Sequence, residues 1–233
     1  MLEARIAAKR LPSGETLLHD VALAAAPGDI VALLGASGAG KTTTLRILLG
    51  LDRSFDGDLR CRAARIGAVF QEPALLPWRT VGDNIRLVTH HAAPTDIAAL
   101  LRDVGLPEAE ALYPRQLSLG MRRRAAVARA LAVDPDLLVL DEPFASLDPR
   151  MAGLIAERLA VHVRTRGAAI VVAMHDIDRA TAFATRILVL SGRPATVAAR
   201  LELPADASDA DRAAIRARLL DSFGFLADAP AAL

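Results

Sequence analysis

The chain has 233 residues, 53% of them hydrophobic and 24% charged, with a formal net charge of +1. That length suits one large domain or two small ones, and the apolar content supports a substantial core. The near-neutral balance gives no support for nucleic-acid binding by bulk electrostatics, and a lone cysteine, Cys61, excludes an internal disulfide framework and fits a reducing cytosol.

In chain order, Glu3, Arg5, Lys9 and Arg10 interrupt the start, so no signal-peptide run is expected there. Residues 2–8 and 15–25 read as antiparallel strands joined by a Pro12-Ser13-Gly14 turn. Val21 to Leu34 is the most apolar early stretch, but Pro27, Gly28 and Asp29 break it. No run approaches the roughly 20 apolar residues of a membrane helix. If the protein works at a membrane, another chain must span it. Asp29 to Leu34 is a short buried strand, Lys41 to Leu49 a helix stopped by Gly50, and Ile66 to Phe70 another buried strand.

From about Pro73 to Val133 the pattern turns helical. Thr95 is expected to cap a helix over 96–104 that ends at Gly105, and Gly120 to Val133 is an arginine-rich helix. Arginines 122–124 and 129 are read as its solvated face. Leu137 to Leu140 is a continuous apolar strand. Asp148-Pro149 opens a helix that runs to about Arg166, with Gly167 behind it. Ala169 to Ala173 and Ile187 to Leu190 are strands flanking a helix at about 177–184, and residues 205–233 form a helix at about 209–222 and an alanine-rich tail. Alternating buried strands and helices predict a mainly parallel α/β sheet, with 73–135 as a helical insertion.

Two stretches carry chemistry. Gly35-Ala36-Ser37-Gly38-Ala39-Gly40-Lys41-Thr42 fits G-x-x-x-x-G-K-[ST] between a strand and a helix, the context that the phosphate loop requires. Its backbone N–H groups curl round phosphate oxygens, and the helix aims its positive end at them. Lys41 would hold the β- and γ-phosphates, the Thr42 hydroxyl would ligate Mg²⁺, and Thr43 is a further binding position. Leu137-Leu138-Val139-Leu140-Asp141-Glu142 is an apolar strand ending in two acids. Asp141 is placed to orient Mg²⁺ and Glu142 to polarise an attacking water; taken alone, such acids could equally be helix caps.

Between these stretches, Leu117-Ser118-Leu119-Gly120-Met121 precedes Asp141-Glu142-Pro143 and resembles the signature motif of ABC ATPases, usually Leu-Ser-Gly-Gly-Gln. The resemblance covers roughly residues 1–200. It implies an α/β P-loop NTPase with a RecA-like core, an antiparallel β layer and a helical subdomain, as one domain over 1–204 followed by the 205–233 tail. Gln71 matches the family's Q-loop glutamine, a sensor of Mg²⁺ and γ-phosphate. Ser146-Leu147-Asp148 matches the D-loop, and His175 matches the switch histidine. By themselves these residues could be a surface glutamine, a helix cap and a satisfied strand-end histidine. The resemblance further implies a head-to-tail homodimer, with each ATP held between one copy's phosphate loop and the other's Ser118 and Gly120.

Two positions depart from the pattern. Leu119 replaces the first signature glycine, which is costly if that residue needs positive φ. Reduced or retuned activity is therefore expected, with faster turnover after Leu119→Gly. Met121 replaces the glutamine, as importers of this type often have it. Leu11 falls where the family usually stacks an aromatic residue on adenine, and can supply apolar contact only.

Phe70-Gln71-Glu72-Pro73-Ala74-Leu75-Leu76-Pro77-Trp78-Arg79-Thr80-Val81 resembles the same region of importer ATPases for nitrate, sulfonate and taurine, with thiamine-precursor importers close by. The resemblance implies an ATP-hydrolysing importer subunit on the cytoplasmic face of the membrane. Its partners would be two integral membrane permease subunits, met near Gln71 to Thr80, and indirectly an extracytoplasmic solute-binding protein. Trp78 reads as an interface anchor or a core residue. An exporter subunit, a non-transport ABC ATPase or a weakly hydrolysing partner chain are the rival readings.

Overall fold

The computed structural model describes residues 1–89, 96–203 and 207–224. β1 (Leu2–Arg10) buries Leu2, Ala4 and Ile6 and exposes Glu3 and Arg5, the alternation of a sheet with one covered face. It lies between β2 (Thr16–Ala25) and β4 (Asp56–Cys61) in an antiparallel layer, order β2-β1-β4. The sequence reading passed over β4. Its residues, Asp56-Gly57-Asp58-Leu59-Arg60-Cys61, are exposed except half-buried Leu59, so they carry no apolar alternation to read.

The second sheet has the order β5-β6-β7-β3-β8-β9. β3 (Ile30–Gly35), β5 (Ile66–Val69), β6 (Leu137–Asp141), β7 (Ala169–Met174) and β8 (Arg186–Ser191) run parallel, and β9 (Thr196–Glu202) returns antiparallel on the edge. Every residue of β3, β6 and β7 is buried, which explains their unbroken apolar runs. Side chains leave β3 alternately to two cores. Val31 and Leu33 join Leu2, Ile6 and Val21 of the antiparallel layer and Leu45, Ile47 and Leu48 of α1 (Lys41–Leu48). Ala32 and Leu34 face the opposite core, built by the later helices. β9, less exposed than β4 and with Leu201 buried, was also missed from the sequence.

The helices on that side are α2 (Val81–Arg86), α3 (Ile97–Asp103), α4 (Leu119–Ala132), α5 (Pro149–Arg166), α6 (Ile177–Phe183) and α7 (Asp209–Ser222). Asp148 caps α5 by accepting from the Met151 N–H at 3.0 Å, Pro149 opens it, and Gly167 closes it at φ 63°. Thr95 lies outside the described residues. The observed cap of α3 is Asp96, which accepts from the Ala99 N–H at 2.9 Å. Residues 225–233 of the alanine-rich tail lie outside the described residues as well.

The arginines of α4 correct their reading as a solvated face. Arg123 is buried and donates to the Ala145 carbonyl at 2.5 Å. Arg124 donates to the carbonyls of Val104 (3.0 Å) and Gly105 (2.6 Å), and Arg129 to those of Ala74 (2.7 Å) and Pro73 (3.0 Å). Loop carbonyls need donors, and the guanidinium fork supplies several from one side chain.

Candidate nucleotide site

Gly35 closes β3, and the chain turns through Ala36 to Gly40 into α1. Gly40 sits at φ 83°, and a Cβ there would lie 2.5 Å from the Leu18 side chain. Both facts demand glycine. Gly40 is also the N-cap of α1 and has no side chain to satisfy the helix's first amides. The buried Thr44 hydroxyl donates to the Gly40 carbonyl at 2.9 Å and holds the turn.

Lys41 folds back on its own loop, donating to the carbonyls of Gly35 (2.7 Å) and Ala36 (3.2 Å). Burial lowers its pKa, against the pull of Glu142 and Asp141. The Thr42 hydroxyl donates to Asp141 Oδ2 at 2.7 Å, joining positions 99 residues apart. Asp141 ends β6 and is 4% exposed; burial raises its pKa despite the Thr42 bond and nearby Lys41. Gln71 lines the same 380 Å³ cavity as Thr42, Asp141, Arg46 and Phe70.

Glu142 stands at φ 50°, in the left-handed region, with its N–H on the Ala173 carbonyl at 3.0 Å. That turn aims its carboxylate at His175 just beyond β7, where Oε2 and Nδ1 form a hydrogen bond of 2.9 Å. The bond to Glu142 is the main cause of a raised His175 pKa, and burial opposes it. A second 380 Å³ cavity is lined by Glu142, Ser146, Asp148, His175 and Arg179. Gln71, Asp141, Glu142 and His175 sit at or just past the C-terminal ends of parallel β5, β6 and β7, and the phosphate loop follows β3, where open α/β sheets place ligands.

The signature stretch lies elsewhere. Ser118 caps α4, accepting from the Met121 N–H at 3.2 Å, which leaves its own hydroxyl proton free to point outward. A Cβ on Gly120 would come within 3.1 Å of the Ser146 carbonyl, so the glycine allows the D-loop its close approach. Ser118, Gly120, Ser146 and Asp148 line a 360 Å³ cavity that shares no residue with the one around Thr42 and Asp141 but shares Ser146, Leu147 and Asp148 with the one around Glu142 and His175. Leu119 is the first residue of α4 and is not among the non-glycine residues at positive φ. The backbone penalty foreseen for it is not incurred, and its side chain is 41% exposed.

Leu11 follows β1, half-buried in a turn, with its N–H on the Glu15 carbonyl at 2.8 Å. Trp78 is 71% exposed, so it is not a core residue. Sequence reasoning missed Lys9, which is 7% exposed and bonded to Asp52 and to the Ser54 carbonyl, both at 2.8 Å, just behind α1. It also missed Phe144 and Arg179, whose contacts depend on tertiary structure. Among the described residues no helix is long and apolar enough to cross a membrane.

The family described as ABC transporter matches residues 18–145. The chain belongs to the ABC transporter family. It is 42% identical over 240 residues to an aliphatic sulfonates import ATP-binding protein, SsuB 2, of Burkholderia cenocepacia, covering 96% of this chain and 87% of that protein. SsuB 1 of Xanthomonas axonopodis pv. citri is 40% identical, covering 87% and 86%. Among solved structures, a dimeric post-hydrolysis ATP-binding cassette bound to ADP and Pi matches with a TM-score of 0.79 and 28% identity, over 87% of this chain and 99% of that one. The expected P-loop NTPase architecture is therefore the observed one. In this ABC ATPase the matched segment ends at Ala145, so it takes in the phosphate loop, the signature stretch and Asp141-Glu142 together.

Proposed function

We propose that this chain powers uptake of a small sulfonate-class solute through separate permease subunits, by hydrolysing ATP held between two copies of itself. The chain is the ATP-binding and ATP-hydrolysing subunit of an ABC importer for small solutes. It dimerises and works with membrane permease partners. The solute class follows the names of the relatives, and nitrate, taurine or a thiamine precursor are the neighbouring choices.

The observation that carries the mechanism is the pair of bonds at the strand ends: Thr42 to Asp141 at 2.7 Å and Glu142 to His175 at 2.9 Å. The residues at the first pair suit Mg²⁺. Thr42, Asp141 and Gln71 offer a hydroxyl, a carboxylate and a carboxamide, all oxygen donors, and phosphate oxygens would complete the shell. Bound there, Mg²⁺ would neutralise phosphate charge. Lys41 leaves its loop carbonyls for the β- and γ-phosphates, and the uncapped amides of Gly40, Lys41, Thr42 and Thr43 cradle them along with the Gly35 to Ala39 turn. Leu11 gives adenine an apolar contact.

Glu142 accepts a proton from the attacking water, and His175 holds Glu142 in line and contacts the γ-phosphate. From the second copy, the Ser118 hydroxyl and the Gly120 N–H face the γ-phosphate from the opposite side, with Asp148 at the D-loop between the two. Closure then requires ATP, and loss of the γ-phosphate releases it. Exposed Trp78 and its neighbours from Gln71 to Thr80 meet the permease at the inner face of the membrane, while an extracytoplasmic binding protein selects the solute.

Glu142→Gln tests this reading. Hydrolysis should fall by about 100-fold or more, and ATP should convert the variant to a dimer in gel filtration. A variant that stays monomeric with saturating ATP refutes the sandwich.

A further inference from the structure

α7 holds α6 at both ends. Arg212 donates to the carbonyls of Thr181 (2.6 Å) and Ala182 (3.3 Å), in the last turn of α6. One turn along, the Arg216 guanidinium pairs with Asp178 in the first turn of α6. Further along α7, Leu219 is buried in the same core as Ile177 and Ala180, and half-buried Ile215 packs against that core. Arg212, Ile215 and Leu219 follow helical spacing, so one face of α7 is committed to this contact.

α6 in turn is joined to both members of the Glu142–His175 pair through their chain neighbours. It begins two residues after His175, and Asp176 caps it by accepting from the Arg179 N–H at 3.0 Å. Phe144, two residues after Glu142, packs edge-on against Phe183 with ring centroids 5.6 Å apart, and the Arg179 guanidinium lies 5.1 Å above the Phe144 ring. The strained backbone of Glu142 is therefore backed by a side chain that rests on α6, and the backbone carrying His175 runs directly into α6.

We propose that α7 is a brace for the Glu142–His175 pair, acting through α6, with Arg212 as its main positioning residue. Arg212 touches no reacting atom. It fixes the last turn of α6, which seats Phe183 under Phe144 and so sets the path of the chain that leaves Glu142. Arg216 contributes less, because its pair with Asp178 is largely solvent-exposed and surface pairs are weak. The proposal rests on Glu142 and His175 being the hydrolytic pair.

The test uses the full-length chain. Arg212→Ala should lower kcat about three- to ten-fold, with KM for ATP held within about two-fold, because misplacing a catalytic pair by a fraction of an ångström slows chemistry more than binding. Arg212→Lys, which keeps a donor for the carbonyls, should recover most of that loss. Independently of activity, the ring NMR signal of His175, assigned by its absence in His175→Gln, should move in Arg212→Ala and return in Arg212→Lys. Should Arg212→Ala fail to fold, the charge reversal Arg216→Asp and its partner Asp178→Arg take its place. Each alone should slow turnover and disturb the His175 signal, and the double variant should restore both. An unmoved His175 signal with unchanged kcat overturns the brace. Hydrolysis that survives Glu142→Gln would instead overturn the assignment of the pair, so the two failures are distinguishable.

Discussion

The phosphate loop and the signature segment are both turns that feed a helix N-terminus, yet the two ends are finished differently. α1 starts at Gly40, whose missing side chain leaves the first amides uncapped. α4 starts at Ser118, whose hydroxyl already accepts from Met121. The first end is surrounded by groups of its own chain: Lys41 on the loop carbonyls, and Thr42 bonded to Asp141 from another strand. The second borders the D-loop and the first turn of α5, with Leu119 partly out in solvent. An uncapped helix end ringed by converging side chains is a site that one copy can fill with ligand. A capped end on the surface is already satisfied within its own chain, and under the composite site proposed above it meets ligand only when a second copy closes on it.

The sharpest way to break that contrast is to disable each end separately. Lys41→Ala should weaken ATP binding by the isolated chain about 100-fold, as expected for loss of a charge-assisted phosphate contact. Ser118→Asp keeps an equally good helix cap but faces the γ-phosphate with a negative charge. It should bind ATP within about two-fold of wild type and hydrolyse it about 10- to 100-fold more slowly. Nucleotide fluorescence and phosphate release measure the two quantities. If Ser118→Asp hydrolyses normally, the capped end plays no part in the reaction.

Asp141→Asn sharpens the other side. Burial raises the pKa of Asp141, so its folded-state value lies above the unfolded one. The native state then binds a proton more readily than the unfolded chain, and stability falls as pH rises through that window. At neutral pH the ionised carboxylate is a net burden on folding. The asparagine still accepts from Thr42 and carries no charge, so Tm should rise by about a few degrees, the usual reach of one stabilising substitution, while ATPase activity is lost. Thermal denaturation at pH 7 checks this; a lower Tm would mean that the carboxylate stabilises the loop.

Leu119 gives a smaller effect and separates two causes. Its backbone is helical, so it acts through its side chain. Leu119→Ala and Leu119→Gly should both speed turnover by about two-fold, and the glycine should also cost about 1 kcal/mol of helix stability. Faster turnover with glycine alone would restore the backbone explanation.

What was legible in the sequence follows from how local each feature is. The phosphate loop and Asp141-Glu142 are short strings on strand ends, where strand, turn and chemistry lie within about ten residues of one another. The fully buried strands β3, β6 and β7 were readable for the same reason. β4 was not, because an edge strand of exposed polar residues has no apolar pattern and exists through its partner; β9 does alternate Val197, Ala199 and Leu201 inward with Ala198, Arg200 and Glu202 outward, a short signal that was passed over. The roles of Arg123, Arg124 and Arg129 were hidden because their acceptors are loop carbonyls 19 to 56 positions away, and arginine looks the same in solvent and in such a clasp. The seating of Phe144 on Phe183 needed α6 to be docked first.

The smallest effect compares two histidines that depart from the same ordinary pKa of 6.5 in opposite directions. His175 is raised, chiefly by its bond to Glu142, so its contribution to stability is complete below about 6.5 and is lost as pH rises through its folded value. His162 is buried on α5 against the Pro135 carbonyl at 2.9 Å, and burial lowers its pKa. The unfolded chain takes up that proton first, so on His162's account stability climbs as pH rises toward about 6.5. The two slopes should meet in a stability maximum near that pH. His175→Gln should flatten the descending limb and leave the ascending one, read as Tm against pH from 5 to 8 in small steps. A descending limb that persists in His175→Gln would assign it to another group and leave the Glu142 bond without a measurable part in stability.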